Sequence, residues 1–474
     1  MATSNGTVRF GGKHAIVIGG SMAGLITTRV LTNHFDKVTL IERDPMPDSP
    51  EARKGVPQMR HVHVLLKRGE TILAKYFPGV VDELVGAGSN LLDMAGDTRW
   101  YHFGGWKPRF KSGMEFLSQS RPLLEWKIRS RVATTPGVEI RPETTVEGYL
   151  FDDSRSRVTG VRLLPKTEGA SEEQLLADLV VDASGRGSRT PQWLGAAGYA
   201  EPEETTIKVD IGYATVFMRL PETLKRDWKV LFVYMLPPQT RLGVLLPVED
   251  GQHMSTVVGW FGDHCPADKA GYLEWTKGMP SLEYYEAIKD AEWLTPTAIH
   301  KFPANRRRHY ESMSRFPDGL VVIGDALCSF NPIYGQGMTT ASLGGATLDE
   351  ALQDHARTSP GNVRGFSVPF QKRLAKVIDP PWMGVLAEDF RYEQAEGKRP
   401  FWVKAMGWYT SRVYRLTHVD ERVSRRFLQV MHLMEKPWIL FEPYVLRKVL
   451  TLGPEAPAPA AAPAPTVRAT QPTG

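Results

Sequence analysis

The chain has 474 residues, 42% of them hydrophobic and 23% charged, the balance of a globular protein with room for two or three cores. Its 58 basic and 53 acidic residues leave a net charge of +5, too evenly matched to point to nucleic acid, and Arg306-Arg307-Arg308 reads as a short solvated turn. The two cysteines, Cys265 and Cys328, suit neither a disulfide framework nor a zinc site, so no metal is expected. With no apolar signal region and no run of about 18 apolar residues, the expected location is cytoplasmic.

In chain order, residues 14–18 form a short apolar, β-rich run that predicts a buried parallel strand. Met22 to Asn33 reads as a helix and Val38 to Glu42 as a second strand. A loop and then a helix are expected over 45–66, and a strand feeding a helix over 110–132. Residues 138–141, 146–151 and 158–164 alternate between turns and predict a small β-meander, and 176–182 is another buried strand. From 205 to 310 the runs 211–220, 230–235, 241–247 and 255–260 follow one another with few helices, predicting a mainly antiparallel sheet. A parallel strand returns at 320–323, followed by a helix over about 336–352. The fold class is therefore α/β. A Rossmann-like dinucleotide domain spans 10–200 and 311–360. It is interrupted by an antiparallel-sheet substrate domain, 201–310, and followed by a helical C-terminal region, 361–452. The Pro- and Ala-rich tail, 453–474, is expected to be disordered.

The chemistry lies in two glycine-punctuated segments. After the first strand come Gly19-Gly20-Ser21-Met22-Ala23-Gly24. Gly19 suits the tight turn, Gly24 lets helix and sheet approach closely, and the helix N-terminus offers free N–H groups to a pyrophosphate. Ser21 stands where the usual pattern has glycine, and its hydroxyl can donate to the pyrophosphate. Glu42, followed by Arg43, ends the second strand, where a carboxylate accepts ribose hydroxyls and repels a 2′-phosphate. Downstream, Gly324-Asp325 follows a buried strand, and Asp325 can accept from a ribityl hydroxyl. Pro332 and Gly335 shape a tight loop, and Gln336, Gly337 and Met338 open a helix whose N–H groups suit the electron-rich edge of a flavin. Held at both ends in this way, the dinucleotide is expected to be FAD.

These residues, with Arg53-Lys-Gly-Val-Pro-Gln58, His61, His63, Arg121-Pro-Leu-Leu-Glu-Trp126 and Asp182-Ala-Ser-Gly-Arg-Gly-Ser188, resemble flavoprotein monooxygenases of the para-hydroxybenzoate hydroxylase fold. The closer likeness is to squalene epoxidase-like enzymes, including bacterial polyether epoxidases. The resemblance runs from about 12 to 350. It implies that Arg121 contacts the cofactor and that Gly324 and Asp325 hold its ribityl and pyrophosphate. It also places Arg53, His61 and His63 near the flavin as catalytic candidates; a structural role is the alternative for each histidine. The implied activity is insertion of one atom of O2 into an apolar organic substrate, by epoxidation or hydroxylation through a flavin C4a-hydroperoxide, in specialised metabolism.

Trp100, Tyr101, Phe103, Trp106, Tyr213, Phe217, Phe232, Tyr234 and Trp260 are candidates to line the substrate chamber, with Tyr213, Phe232, Tyr234 and Trp260 foremost. An ordinary hydrophobic core is the alternative. The helical region, with Trp382, Trp402 and Trp408, is read as a cap on the chamber or a membrane-contacting surface. Ser184-Gly185 stands where hydroxylases that take hydride directly from NADPH carry Asp-Gly, so a separate reductase is one expected electron source and NAD(P)H bound elsewhere the other. A flavin-dependent halogenase is a competing reading, although the Trp-x-Trp-x-Ile-Pro segment of those enzymes is absent. A reductase or dehydrogenase on the same FAD frame, and a non-enzymatic flavin-binding protein, are further alternatives.

Overall fold

The computed structural model describes residues 8–453 apart from 54, 167, 168 and 170; the expectation of a disordered tail falls outside the described residues from 454 onward. The centre is a parallel sheet of five strands: β1 (Gly12–Ile18), β2 (Phe35–Ile41), β3 (Val138–Arg141), β4 (Leu179–Asp182) and β5 (Leu320–Val322), in the order β5-β4-β1-β2-β3. Burial on both faces explains the apolar runs that end β1 and β2 and fill β4 and β5. Ile18 pairs with Asp182 and with Ile41, and Asp182 pairs with Val322. The carboxyl ends of four strands thus lie in one row. Gly19, Glu42, Ser184 and Gly324 all leave the sheet on that edge, where open α/β sheets bind ligands.

Helices α1 (Met22–Leu31) and α3 (Arg121–Ala133) pack on this sheet, α4 (Gly337–Ala356) packs on α1, and α2 (Lys67–Tyr76) on α4. The expected three-strand meander differs at its start, because 138–141 pairs with β2 in the parallel sheet. The small antiparallel sheet is instead Thr144–Phe151, Val158–Pro165 and Glu173–Leu176.

The second large sheet is mainly antiparallel. Its longest strand, Glu204–Arg219, pairs with Ala298–Arg308 on one side and His253–Gly259 on the other. Arg241–Pro247 and Val230–Val233 continue it, and Thr98–His102 joins in parallel beyond them. The sheet thus also draws a strand from well before residue 201. Arg306-Arg307-Arg308 is no solvated turn but the end of a strand. Arg307 and Arg308 are buried, Arg307 paired with Glu311 and Asp379, Arg308 with Glu204. Burial is tolerated because each charge keeps a carboxylate partner.

The C-terminal helices are α5 (Ser367–Asp389), α6 (Val403–Leu416), α7 (Glu421–Met431) and α8 (Pro443–Thr451). No helix among the described residues is long and apolar enough to cross a membrane.

Candidate active site: a dinucleotide cleft opening on an apolar chamber

A cavity of about 550 Å³ runs along the carboxyl edge of the parallel sheet and continues over the inner face of the antiparallel sheet. Gly19, Gly20, Ser21, Met22, Ala23, Glu42, Arg43, Arg121, Asp325, Pro332, Gly335, Gly337 and Met338 all reach its wall. Gly24 and Gly324 do not. Their role is close packing: a Cβ on Gly24 would collide with the Gly19 carbonyl, and one on Gly324 would lie 2.8 Å from the Ala23 Cβ. Gly19 has φ +101°, and a Cβ there would meet the Ala183 oxygen at 2.6 Å, so the turn admits only glycine.

Beneath the turn lies a buried ionic cluster. The Glu125 side chain is 0% exposed. Its Oε1 accepts from Arg53 Nη2 (2.6 Å) and Nε (2.9 Å), and its Oε2 accepts from Arg121 Nη2 (2.9 Å) and Ser21 Oγ (3.1 Å). Ser21 Oγ accepts in turn from Arg121 Nη2 (2.9 Å). This side chain therefore belongs to the cluster and leaves the first-turn N–H groups of α1 without a side-chain cap. Glu42 Oε2 accepts from the Gly20 N–H (2.8 Å) and pairs with Arg53 Nη1 (3.0 Å), while Oε1 accepts from the Asp44 N–H (3.0 Å). Its wall position still leaves it beside the cavity. Arg53, a catalytic candidate from sequence, is instead locked between two carboxylates, and its Nη2 donates to the Gly20 carbonyl (3.2 Å). It braces the turn. Glu125, inside the Arg121–Trp126 segment, carries the cluster, and its spacing four residues after Arg121 on a helix is the sequence signal for that pairing.

Residues 61–66 are extended, not helical. A single 3-10 turn, Pro57–Arg60, precedes them, and α2 starts only at Lys67. His61 is buried, its Nδ1 2.8 Å from Thr215 Oγ1. His63 reaches the cavity wall, its Nδ1 2.8 Å from the His61 carbonyl. Burial, helped by His300 and Arg60, pushes the His61 pKa down to about 3; burial and Arg121 do the same for His63. Both imidazoles are neutral at pH 7 and neither can serve as a cationic acid there.

The other end of the cavity is the Asn331–Gly337 loop. Gly335 has φ +64°, and Gln336 ends the loop without a side-chain cap, so the first N–H groups of α4 remain free. Gln336 faces a second chamber rather than this cavity. The loop is fixed from behind. Asn331 Oδ1 accepts from Tyr213 Oη (2.5 Å) and from the Ile333 N–H (3.1 Å), and Asn305 Oδ1 accepts from the Asn331 N–H (2.5 Å). Asp389, buried at the end of α5, accepts from Tyr334 Oη and Asn305 Nδ2, each at 2.5 Å. No local pattern marked Asp389, Asn305 or Asn331 in the sequence.

Burial outweighs these hydrogen bonds and raises the Asp389 pKa to about 7. The folded value lies above the unfolded one, so ionising Asp389 costs stability as pH rises toward and through 7. In infrared titrations, a protonated-carboxyl band is expected to fade through about pH 7 and to be missing from Asp389→Asn. The same band in that variant would contradict the assignment.

A second chamber, about 1190 Å³, lies between the Trp100–His102 edge of the antiparallel sheet and helices α5, α6 and α7. Phe232 and Tyr234 line it, as does Trp100. Tyr213 lines the dinucleotide cavity, where its hydroxyl supports the loop. Trp260 reaches neither large space; it is buried beside a recess with Phe103 and Tyr392. Tyr101 and Trp106 pack against a separate core on the opposite side from Trp100, as strand alternation requires. Phe232, Ile333, Tyr334 and Met431 belong to the walls of both spaces, so the Asn331–Gly337 loop is the partition between them. Cys328 is a buried thiol whose pKa burial raises, a core position without redox partner among the described residues.

Three observations fit FAD. A Cβ on Gly337 would meet nothing within 4 Å, because it would project into the cavity beside the free helix N-terminus. Arg121 Nε is buried without a hydrogen-bond partner in the protein. The Asp325 carboxylate, raised in pKa by burial against the pull of Arg186 and Arg121, forms no hydrogen bond or salt bridge among the described residues.

Comparison with known proteins agrees with this geometry. Residues 13–358 match the family described as "FAD binding domain". The chain is 33% identical over 435 residues to Protein Rv3254 of Mycobacterium tuberculosis, covering 90% of this chain and 91% of the relative. It is 24% identical over 356 residues to a kynurenine 3-monooxygenase of Salinispora arenicola, covering 72% and 73%. Among solved structures, the flavin-dependent brominase Bmp2 superposes with a TM-score of 0.63 at 15% identity, covering 89% of this chain and 94% of that one. A Gly-rich turn on a row of strand ends, a second helix N-terminus across the same cavity and a family match over both make this chain a member of the FAD binding domain family, with the para-hydroxybenzoate hydroxylase fold and FAD as its cofactor.

Proposed function

We propose that this flavoprotein is a monooxygenase that inserts one atom of O2 into a largely apolar substrate, by epoxidation or hydroxylation. The observation that carries the reading is the shared wall: a large apolar chamber meets the dinucleotide cavity at Phe232, Ile333, Tyr334 and Met431, beside the helix end suited to a flavin ring. The kynurenine 3-monooxygenase similarity supports the same reaction type. Bound and reduced FAD supplies the activation of O2. The chain's own residues do the rest. Gly19–Ala23, Glu42 and Arg121 bind the dinucleotide, Asp325 accepts from its ribityl chain, and the free N–H groups of α4 stabilise negative charge on the ring edge. The apolar partition keeps water from the reacting face. The neutral imidazoles of His61 and His63 agree with chemistry carried by the cofactor.

Electrons are proposed to come from a separate reductase. Ser184 replaces the carboxylate expected for direct reduction, and its hydroxyl donates to Asp182 Oδ1 (2.5 Å), which holds the turn closed. Anaerobic mixing of the holoprotein with NADPH or NADH should leave the flavin oxidised for minutes and bleach it in seconds once a flavin reductase is added. Rapid bleaching by the nicotinamide alone would rule out the need for a partner.

A further inference from the structure

The rim of the 1190 Å³ chamber carries charges that an apolar substrate does not need. Arg68 near the start of α2, Lys376 on α5 and Lys436 in the loop after α7 all reach its wall, and all three are exposed. None forms a salt bridge or side-chain hydrogen bond among the described residues. The Arg68 N–H donates to the His432 carbonyl (3.3 Å), which ties the start of α2 to the loop carrying Lys436. The other charges at the wall are largely committed: Arg373 to Asp354 and Glu350, Asp379 to Arg307, Glu388 to Arg391. Glu435 alone opposes the three free cations. Inside, Trp100, Val385, Met406, Val413 and Phe427 make the wall apolar. The volume exceeds the roughly 300–1,000 Å³ that encloses a drug-sized ligand.

We propose that the chamber binds an elongated amphiphilic acid. Its apolar body lies between the Trp100–His102 strand and α5–α7, and its anionic head stays at Arg68, Lys376 and Lys436. This rests on the chamber being the substrate site, and it adds the substrate class. An exposed rim suits the anion, which keeps partial solvation beside these unpaired cations; the reacting part of the chain then reaches inward to the partition at Phe232 and Tyr334.

The test uses the FAD-loaded protein and a fluorescent polyunsaturated fatty acid, with its methyl ester as the uncharged comparison and fluorescence as the readout. The acid should bind at least tenfold more tightly than the ester and weaken with added salt. Combined Arg68→Ala, Lys376→Ala and Lys436→Ala should reduce acid binding at least tenfold, leave ester binding unchanged and leave the flavin spectrum intact. Gly384, which lines the chamber with no atom within 4 Å of its would-be Cβ, provides the location control. Gly384→Trp should abolish binding of both probes. Equal binding of acid and ester, an unaffected triple variant, or full binding by Gly384→Trp would each overturn the proposal. Because the readout is binding, its failure leaves the oxygen-insertion reading standing, and normal binding without oxygen transfer would count against that reading alone.

Discussion

Glu125→Ala is expected to lower the unfolding free energy by about 3–5 kcal/mol, the usual cost of stripping one partner from a buried ion pair. Arg121 would be left buried without its carboxylate, Arg53 would keep only Glu42, and Ser21 would lose its acceptor beneath the glycine turn. FAD should be lost on gel filtration at the same time, because the turn and Arg121 depend on the same carboxylate. Burial by itself would raise the Glu125 pKa; Arg121 and Arg53 more than reverse this and hold it below the ordinary value. A depressed folded pKa contributes stability that is complete above the unfolded pKa and is lost as pH falls through the folded one. Wild type should therefore lose more stability than Glu125→Ala when acidified below pH 4.5, which urea melts at several pH values will read. A neutral-pH melt within about 0.5 kcal/mol of wild type would show that the cluster carries little.

Gly337→Leu should separate holding FAD from folding. Position 337 is the first residue of α4, where leucine is no worse a helix former than glycine, and its Cβ would enter empty space. The FAD-free variant should thus melt at or above the wild-type temperature. Its FAD affinity should fall at least 100-fold, about 2.7 kcal/mol, because the side chain takes the space and screens the helix end. A variant that kept both stability and FAD would place the ring elsewhere.

Much of the dinucleotide cleft was legible because its signals are local. An apolar run, a glycine that must adopt positive φ at 19, a second glycine that must pack at 24 and a carboxylate after the next strand are all set by neighbours within one βαβ unit. The sheet register then does what no local pattern reveals. It sets Ser184 and Asp325 beside that turn from residues far away in the chain. The helix expected before Leu66 failed for a local reason: His61-Val62-His63-Val64-Leu65 alternates with period two, and Leu65 bridges Leu117 as an extended residue does. The solvated-turn expectation for Arg306–Arg308 fails because Arg307 and Arg308 find Asp379 and Glu204 far away in the chain. Asp389 was invisible for the same reason, since its partners Asn305 and Tyr334 meet it only after α5 has packed.

The most direct measurement is mass spectrometry of the product formed under ¹⁸O₂ by the FAD-loaded protein, a flavin reductase and an unsaturated amphiphilic acid that binds the chamber. One ¹⁸O atom per turnover in the product, with none arriving from labelled water, is the expected result. Product without label, or flavin reoxidation that yields only hydrogen peroxide whatever fills the chamber, would contradict oxygen insertion.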